Sequence, residues 1–350
     1  MNSKKLRVGL FGIGLDDCWS LFVLASIGFT SLAANFDAGA SNPVVDGSEN
    51  SSTSRIQVSV DWPQFMSQQA LVWNRLPQDY YEGAFVGNGL LGTIVFRDDV
   101  ETNSLRFEIG RTDIYDHRPA GAAMYERCRL PIGQGLLKPV GKITGAKLRT
   151  DLWNAETRGE ITTTAGSIVW RCFVPSDDEV IVLELKTSSG ERGAKFSFRP
   201  QPGDSPRHTV LKSDKYDYKP NPPFQKIQTN GLEIAVQPLL AGGDYATTWR
   251  EIQTGDDART IFLTVANGIP AGGAANAAVT TINHAVARGV PALERAHREW
   301  WHAFYPASFV SIPDARIESY YWIQWYKLAS ATRAERPVVD LMGPWFKPSR

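Results

Sequence analysis

The densest run of polar side chains in this sequence lies at residues 107–119 and reads "FEIGRTDIYDHRP". Carboxylates beside arginine and histidine can hydrogen-bond the hydroxyl groups of a ligand, or act as general acid and base. The same charges can instead form a salt-bridged loop that ties two parts of a fold together. The residues in question are Glu108, Arg111, Asp113, Asp116, His117 and Arg118.

The surrounding sequence argues against a metal site and against a dinucleotide-binding site. Asp113 and His117 are four residues apart, but no helical pattern surrounds them and no further histidine is nearby, so no metal site is predicted. The motif "GNGLLG" at residues 87–92 matches a dinucleotide-binding pattern, yet the strand-like run "TIVFRDD" follows it instead of a helix. We therefore predict a glycine-rich turn that enters a strand, and no cofactor.

Trp153 is the aromatic residue that we consider as a contact for a sugar. It lies in the run "LRTDLWNAETRGEITTTAGSI", beside Asn154 and Glu156. A flat, amphipathic ring can face a sugar, and a tryptophan buried next to a turn is the alternative. We predict four substrate-binding candidates and assign no catalytic residue. The four candidates are Arg111, Asp113, His117 and Trp153.

The elements that must position these residues are strands. Between residues 55 and 266 the apolar residues alternate in short runs such as "GTIVFRDD", "SLRFEIG" and "SIVWRCFVPSDDEVIVLEL". No helical periodicity separates the runs, which disfavours a parallel α/β sheet. The pattern predicts a mainly β protein built as a large antiparallel sandwich.

The pattern changes after a Gly/Ala-rich link, "ANGIPAGGAANAAVT". We predict that helices begin only near Pro291, which suits a first helical position, and that Asp314 lies near the N-terminus of a second helix. The second helix, "RIESYYWIQWYKLASATR", is apolar on nearly every side. One sandwich covers one face of such a helix, so we expect exposed rings around Trp322 and Trp325 unless further helices or another chain cover them.

Composition and the N-terminal residues suggest an exported protein. The 350-residue chain is 43% hydrophobic with zero formal net charge, which argues against nucleic acid or an anionic membrane as the main partner. A basic start and an apolar stretch at residues 19–34 predict a secretory signal over residues 1–40, although an uncleaved anchor is the alternative. A disordered linker is predicted over residues 41–58. Cys128 and Cys172 either pair or remain buried free thiols.

Two segments resemble a known enzyme family. The runs "LPQDYYEGAFVGNGLLGTIVFRDD" and "LRFEIGRTDIYDHR" are similar to the opening of glycoside hydrolase family 95, the α-L-fucosidase type. The glycine motif at residues 87–92 carries the resemblance. The run Ile-Gly-Arg-Thr-Asp at residues 109–113 stands where the family has an Asn-Glu pair, so we predict a relative of this family and not an α-L-fucosidase itself.

The resemblance implies an architecture and a role. It implies a β-supersandwich (residues 59–270), a linker with a helix (271–312) and the first helix of an (α/α) six-hairpin barrel (313–350), inside which inverting hydrolysis takes place. The loop at residues 111–117 is then expected at the edge of the sandwich, facing the terminal helices. The chain is predicted to be a truncated, non-catalytic sandwich portion of an enzyme acting on oligosaccharides or polysaccharides. Its predicted partners are carbohydrate and the remaining barrel helices on another polypeptide, and the alternative is a stand-alone carbohydrate-binding or scaffolding sandwich.

Overall fold

Two antiparallel β-sheets form the body of the protein. The computed structural model describes residues 59–118, 128–211, 218–229, 231–340 and 342–347, so the predicted signal and linker at residues 1–58 lie outside the described residues. Every strand pairing in the described part of the chain is antiparallel, and helices pack after the strands. The predicted mainly β sandwich followed by helices is confirmed.

Each sheet combines strands that are distant in sequence. Among the described residues, the larger sheet has nine strands in the order β1 (Leu71–Trp73), β6 (Ile143–Asp151), β7 (Glu156–Thr163), β8 (Ser167–Phe173), β9 (Ile181–Thr187), β14 (Ala258–Asn267), β13 (Asp244–Gly255), β12 (Leu232–Pro238) and β11 (Gln225–Thr229). The smaller sheet has five, in the order β10 (Lys195–Pro200), β5 (Gly133–Lys138), β4 (Leu105–Arg111), β3 (Leu91–Arg97) and β2 (Ala84–Gly87).

The main core lies between the two sheets and follows the alternation in the sequence. On β4, Leu105, Phe107 and Ile109 belong to this core, while Arg106 and Glu108 take the opposite face of the strand. Trp170 of β8 is fully buried in the same core and packs edge-on against Phe107. The period-2 pattern therefore places large apolar side chains between the sheets.

The helices do not begin where the sequence pattern suggested. In the described part of the chain the helices are α1 (Trp62–Ser67), α2 (Pro206–Leu211), α3 (Ala274–Phe304) and α4 (Ala315–Ala331). The prediction that helices begin only near Pro291 is wrong, because the alanine-rich part of the presumed link is already helical, and alanine favours helix most strongly. Gly289 (φ 72°) interrupts α3, and Pro291 follows at the start of its second segment. The first segment packs on the outer face of the nine-stranded sheet through residues such as Ile282.

The aromatic helix α4 is better covered than expected. Its start is capped by Asp314, whose side chain accepts hydrogen bonds from the amides of Arg316 and Ile317, as predicted. Trp322 and Tyr326 are fully buried among aromatic residues of α1 and α3. The expectation that Trp322 is exposed is therefore wrong, because α1 and the end of α3 supply cover that the sandwich alone does not.

The cysteines and the helices answer two further questions that the sequence raised. Cys128 and Cys172 are both buried and are not joined by a disulfide bond, so the two thiols do not pair with each other. Among the described helices, none combines the length and apolarity required to cross a membrane.

We predict that the contact between α3 and the sheet contributes strongly to stability. Ile282→Ala removes a fully buried side chain and is expected to lower the free energy of unfolding by about 2–5 kcal/mol. Urea denaturation followed by circular dichroism measures the change. The matched control is Ile317→Ala on α4, whose side chain is 55% exposed and whose loss should cost far less. Equal losses in the two variants would contradict this packing.

Candidate functional site

The glycine motif forms the turn between β2 and β3, as predicted. Asn88 organises the turn: its side-chain oxygen accepts hydrogen bonds from the amides of Leu90 (3.2 Å) and Leu91 (2.9 Å). Its side-chain amide donates to the carbonyls of Pro175 (2.9 Å) and Asp178 (3.0 Å) in the β8–β9 turn. Asn88 is fully buried, so all of these bonds are shielded from water. The motif joins two turns of the sandwich.

Glycines in and near this turn let the C-terminal residues approach the sheet at backbone distance. The amide of Gly89 donates to the carbonyl of Ser330 at the end of α4 (2.8 Å). A Cβ atom at Gly87 would lie 2.7 Å from that same carbonyl oxygen. A Cβ atom at Gly110 on β4 would lie 2.0 Å from the carbonyl oxygen of Pro344. We call residues 332–347, excluding residue 341, the C-terminal segment.

The predicted substrate residues Arg111 and Asp113 lie together in an ion-pair cluster. The guanidinium of Arg111 is 7% exposed and contacts Asp113 (2.7 Å) and Glu179 (2.6 Å). It also donates to the carbonyl of Val265 (2.8 Å). Glu179 in turn pairs with Arg336 of the C-terminal segment (3.2 Å). The donors of Arg111 are directed at protein acceptors, which is the salt-bridged arrangement named as the alternative in the sequence analysis.

The rest of this loop packs on the C-terminal segment. The hydroxyl of Tyr115 donates to Asp340 (3.0 Å). Arg129, which is buried, donates to the carbonyls of Arg111 (3.0 Å) and Pro344 (3.2 Å). The loop thus contacts the segment that follows α4. His117, the third predicted residue, is exposed.

Trp153, the fourth predicted residue, stacks within an aromatic cluster. Its ring is nearly parallel to those of Trp62 (centroids 6.2 Å apart) and His302 (4.0 Å apart). Both neighbours compete with any ligand for the faces of the ring. No described contact joins Trp153 to Arg111 or Asp113. A role in sugar binding remains a prediction for all four residues.

Glu108 has the protonation behaviour of a general acid but not its surroundings. Burial raises its pKa to about 7, against the opposing influence of Arg106. A carboxyl group with such a pKa is typical of acid–base sites. However, its two oxygens bind Arg106 (2.6 Å) and Gln134 (3.4 Å). Glu108 is therefore held by protein side chains on the outer face of the five-stranded sheet.

Ser176 and His297 form a buried pair that the sequence did not reveal. The Nε2 atom of His297 lies 3.0 Å from the carbonyl oxygen of Asn154 and 3.2 Å from that of Ala155, so this nitrogen carries the proton. The Nδ1 atom accepts from the hydroxyl of Ser176 (3.3 Å). A nucleophilic serine needs access to substrate, whereas this pair is buried and ends on backbone carbonyls instead of a carboxylate. The pair links α3 to the β6–β7 turn and to the β8–β9 turn.

A row of half-buried rings lies where α3 meets α4. Trp300 stacks on Phe304 (centroids 5.3 Å apart), Phe304 on Trp325 (5.4 Å) and Trp325 on Tyr321 (6.3 Å). The guanidinium carbon of Arg333 lies 3.6 Å from the ring centre of Trp300, and burial lowers the pKa of Arg333 to about 9.

The row continues into partly exposed side chains on α4. Tyr320 is 40% exposed and Ile317 is 55% exposed. We call this surface the α3–α4 aromatic face. It consists of Trp300, Phe304, Ile317, Tyr320, Tyr321 and Trp325. The helical spacing in the sequence predicted the α4 residues, while the contribution of α3 appears only once the two helices are packed together.

Comparisons with known proteins add little. No protein-family profile and no curated protein sequence matches the chain. Among solved structures, the chain is similar to one titled "Putative kojibiose phosphorylase from human microbiome", with 12% sequence identity and a TM-score of 0.47. The match covers 71% of this chain and 36% of that one, so this chain spans about a third of its length. At this level the similarity assigns no activity to the chain, and the family 95 resemblance remains a prediction.

We predict that the space left by Gly110 is needed for the C-terminal segment to dock. In Gly110→Ala the new methyl group would overlap the backbone of Pro344, at a cost of about 1–3 kcal/mol in unfolding free energy. The same change should expose residues 342–347 to carboxypeptidase, which mass spectrometry detects.

The matched control for that experiment is Gly145→Ala on β6. A Cβ atom there would meet only Thr162 at an ordinary contact distance of 3.9 Å. We expect this variant to keep the stability and protease resistance of the unaltered chain. If Gly110→Ala behaves in the same way, the close approach at β4 is not required.

We also predict that His297 makes the fold acid-sensitive. Burial lowers its pKa from 6.5 to about 3, so the unfolded chain binds a proton between these pH values while the folded chain does not. The stability associated with neutral His297 is present above pH 6.5 and is lost as the pH falls towards 3. At pH 5 the loss is about 2 kcal/mol.

Urea denaturation of His297→Asn between pH 8 and pH 5 tests this expectation. The variant lacks the titrating ring, so its unfolding free energy should fall by less than that of the unaltered chain over this range. His117→Asn is the control, because His117 is exposed. The same pH slope in all three proteins would show that His297 does not contribute.

Proposed function

We propose that the chain is the non-catalytic sandwich part of an exported carbohydrate-active enzyme, and that its α3–α4 aromatic face packs against a barrel of α-helical hairpins. The glycine motif and the strand pair after it resemble family 95 glycoside hydrolases, which supports an inverting enzyme acting on oligosaccharides or polysaccharides. The barrel belongs either to the same polypeptide or to a partner chain.

The observation that carries this proposal is the α3–α4 aromatic face itself. Burying a large apolar side chain contributes on the order of 1.5–3 kcal/mol, and an exposed group of such side chains marks an interaction surface. Ile317 and Tyr320 lie on α4 away from the fully buried Trp322 and Tyr326. A further helix laid against α4 would cover them and would extend the stacked rings into a helical core.

The carboxylates in the polar run at residues 107–119 support a non-catalytic role for the chain on its own. Inverting hydrolysis needs two carboxyl groups about 6.5–9.5 Å apart across the scissile bond, with room for a water molecule. Glu108 is bound to Arg106, and Asp113 is bound to Arg111. These ion pairs hold the carboxylates against the sandwich, so we assign the acid and base to the barrel.

We expect the purified chain to show no turnover of aryl glycosides, including the aryl α-L-fucoside. A fluorogenic assay with the same substrates and a known α-L-fucosidase as positive control measures this. Turnover that is abolished by Asp113→Asn would show that the chain carries its own catalytic carboxylate. The assignment of the acid and base to the barrel would then be wrong.

The docking face has a separate test. The purified chain is expected to self-associate through the α3–α4 aromatic face, and the double variant Ile317→Gln/Tyr320→Gln should shift it towards monomer. Size-exclusion chromatography with light scattering measures the mass. Val338→Gln is the control, since Val338 is 92% exposed but lies outside this face. A monodisperse, monomeric unaltered chain would favour the alternative of a stand-alone carbohydrate-binding sandwich.

A further inference from the structure

A groove of about 390 Å³ lies between the interrupted helix α3 and the outer face of the nine-stranded sheet. Small-molecule sites typically occupy roughly 300–1,000 Å³, so its size suits a ligand of one or two rings. Gly289 lines the groove at the point where its backbone (φ 72°) breaks the helix. Pro291, at the start of the second helical segment, also lines the groove. The break in the helix therefore lies over the sheet.

The sheet side of the groove is a row of cross-strand neighbours. Glu184 on β9 is directly opposite Thr260 on β14, and Thr260 is directly opposite Ile252 on β13. Facing side chains in antiparallel strands have Cβ atoms about 4.5–5.5 Å apart. A carboxylate, a hydroxyl and an alkyl group therefore lie side by side on the sheet side of the groove.

The acidic groups of the groove are held in place by arginines. Glu184 binds Arg171 through one oxygen (2.8 Å), and its side chain remains 34% exposed. Glu294, which reaches the groove from α3, binds Arg171 (3.0 Å) and Arg298 (2.5 Å). The arginines orient both carboxylates and offset their charge. This arrangement favours a neutral hydroxyl donor over a cationic ligand.

Thr260 adds a hydroxyl group to the lining of the groove. It is 3% exposed and lines the groove, and its hydroxyl has no hydrogen-bond partner within the described residues. The solvent of the groove reaches this hydroxyl, so a ligand group that bonds to it would take the place of water. Val286 and Val290 of α3 line the same space and offer apolar contact to the C–H groups of a ring.

We propose that this groove binds one ring of a neutral carbohydrate. Hydroxyl groups of the sugar donate to Glu184 and Glu294 and bond to Thr260, while its C–H groups pack against Val286 and Val290. The ligand class follows from the lining of the groove. The assignment does not depend on the proposed role of the α3–α4 aromatic face, because the two surfaces share no residue.

Saturation-transfer NMR on the purified chain with D-glucose, D-galactose and L-fucose tests the site. We expect transfer from at least one of these sugars. Thr260→Val and Glu184→Gln keep the shape of each side chain, and each should raise the dissociation constant roughly tenfold. Thr162→Val, at an exposed position of β7 in the same sheet, is the matched control and should bind as the unaltered chain does.

Three results would overturn the proposal. The first is no transfer from any of the three sugars. The second is unchanged binding in both groove variants, which would place the sugar elsewhere. The third is binding of D-glucosamine alone, which would identify a cation site. Thermal unfolding of each variant confirms that the fold is intact. None of these results bears on self-association or turnover, so this proposal can fail while the proposed function stands.

Discussion

The close contact between the β2–β3 turn and the end of α4 is the constraint on which the C-terminal half of the structure depends. The amide of Gly89 bonds to the carbonyl of Ser330, and the absent side chains of Gly87 and Gly110 leave room for the backbone of the C-terminal segment. Asn88 holds the same turn against the β8–β9 turn. Side chains at these positions would push the end of α4 and the C-terminal segment away from the sandwich, and would disturb the aromatic face that α3 and α4 form together.

Buried charge reinforces that contact and engages much of the most polar part of the sequence. Arg111 binds two carboxylates, and Arg129 donates to carbonyl groups on both sides of the junction. Burial of a guanidinium costs free energy that its ion pairs and hydrogen bonds offset, and removal of one partner leaves an uncompensated charge. The loop therefore uses its charges to join the sandwich to the C-terminal segment. The same logic applies to Arg171, which binds Glu156, Glu184 and Glu294 in one cluster.

The two candidate surfaces differ in the kind of partner that their chemistry suits. The α3–α4 aromatic face is apolar and broad, and its rings already stack on one another, which suits packing against another helix. The groove beneath Gly289 is smaller and combines oriented carboxylates, the hydroxyl of Thr260 and aliphatic walls, which suits a small polar ring. Both surfaces exist because α3 crosses the sheet in two segments and then meets α4. The sandwich serves as the rigid support for both.

Local patterns in the sequence determined the strands, the turn at Asn88 and the cap at Asp314, because alternation, turn-forming residues and helix caps act over a few residues. The glycine motif was recognisable, but its purpose was not, since the atoms that would collide with a side chain at Gly110 come from Pro344, far along the chain. Tertiary structure alone decided that Trp322 is buried and that Arg111 is fully engaged. It alone also paired Ser176 with His297 and opened a groove at Gly289. Each of these depends on which distant elements pack together, and the spacing of residues along one element does not encode that choice.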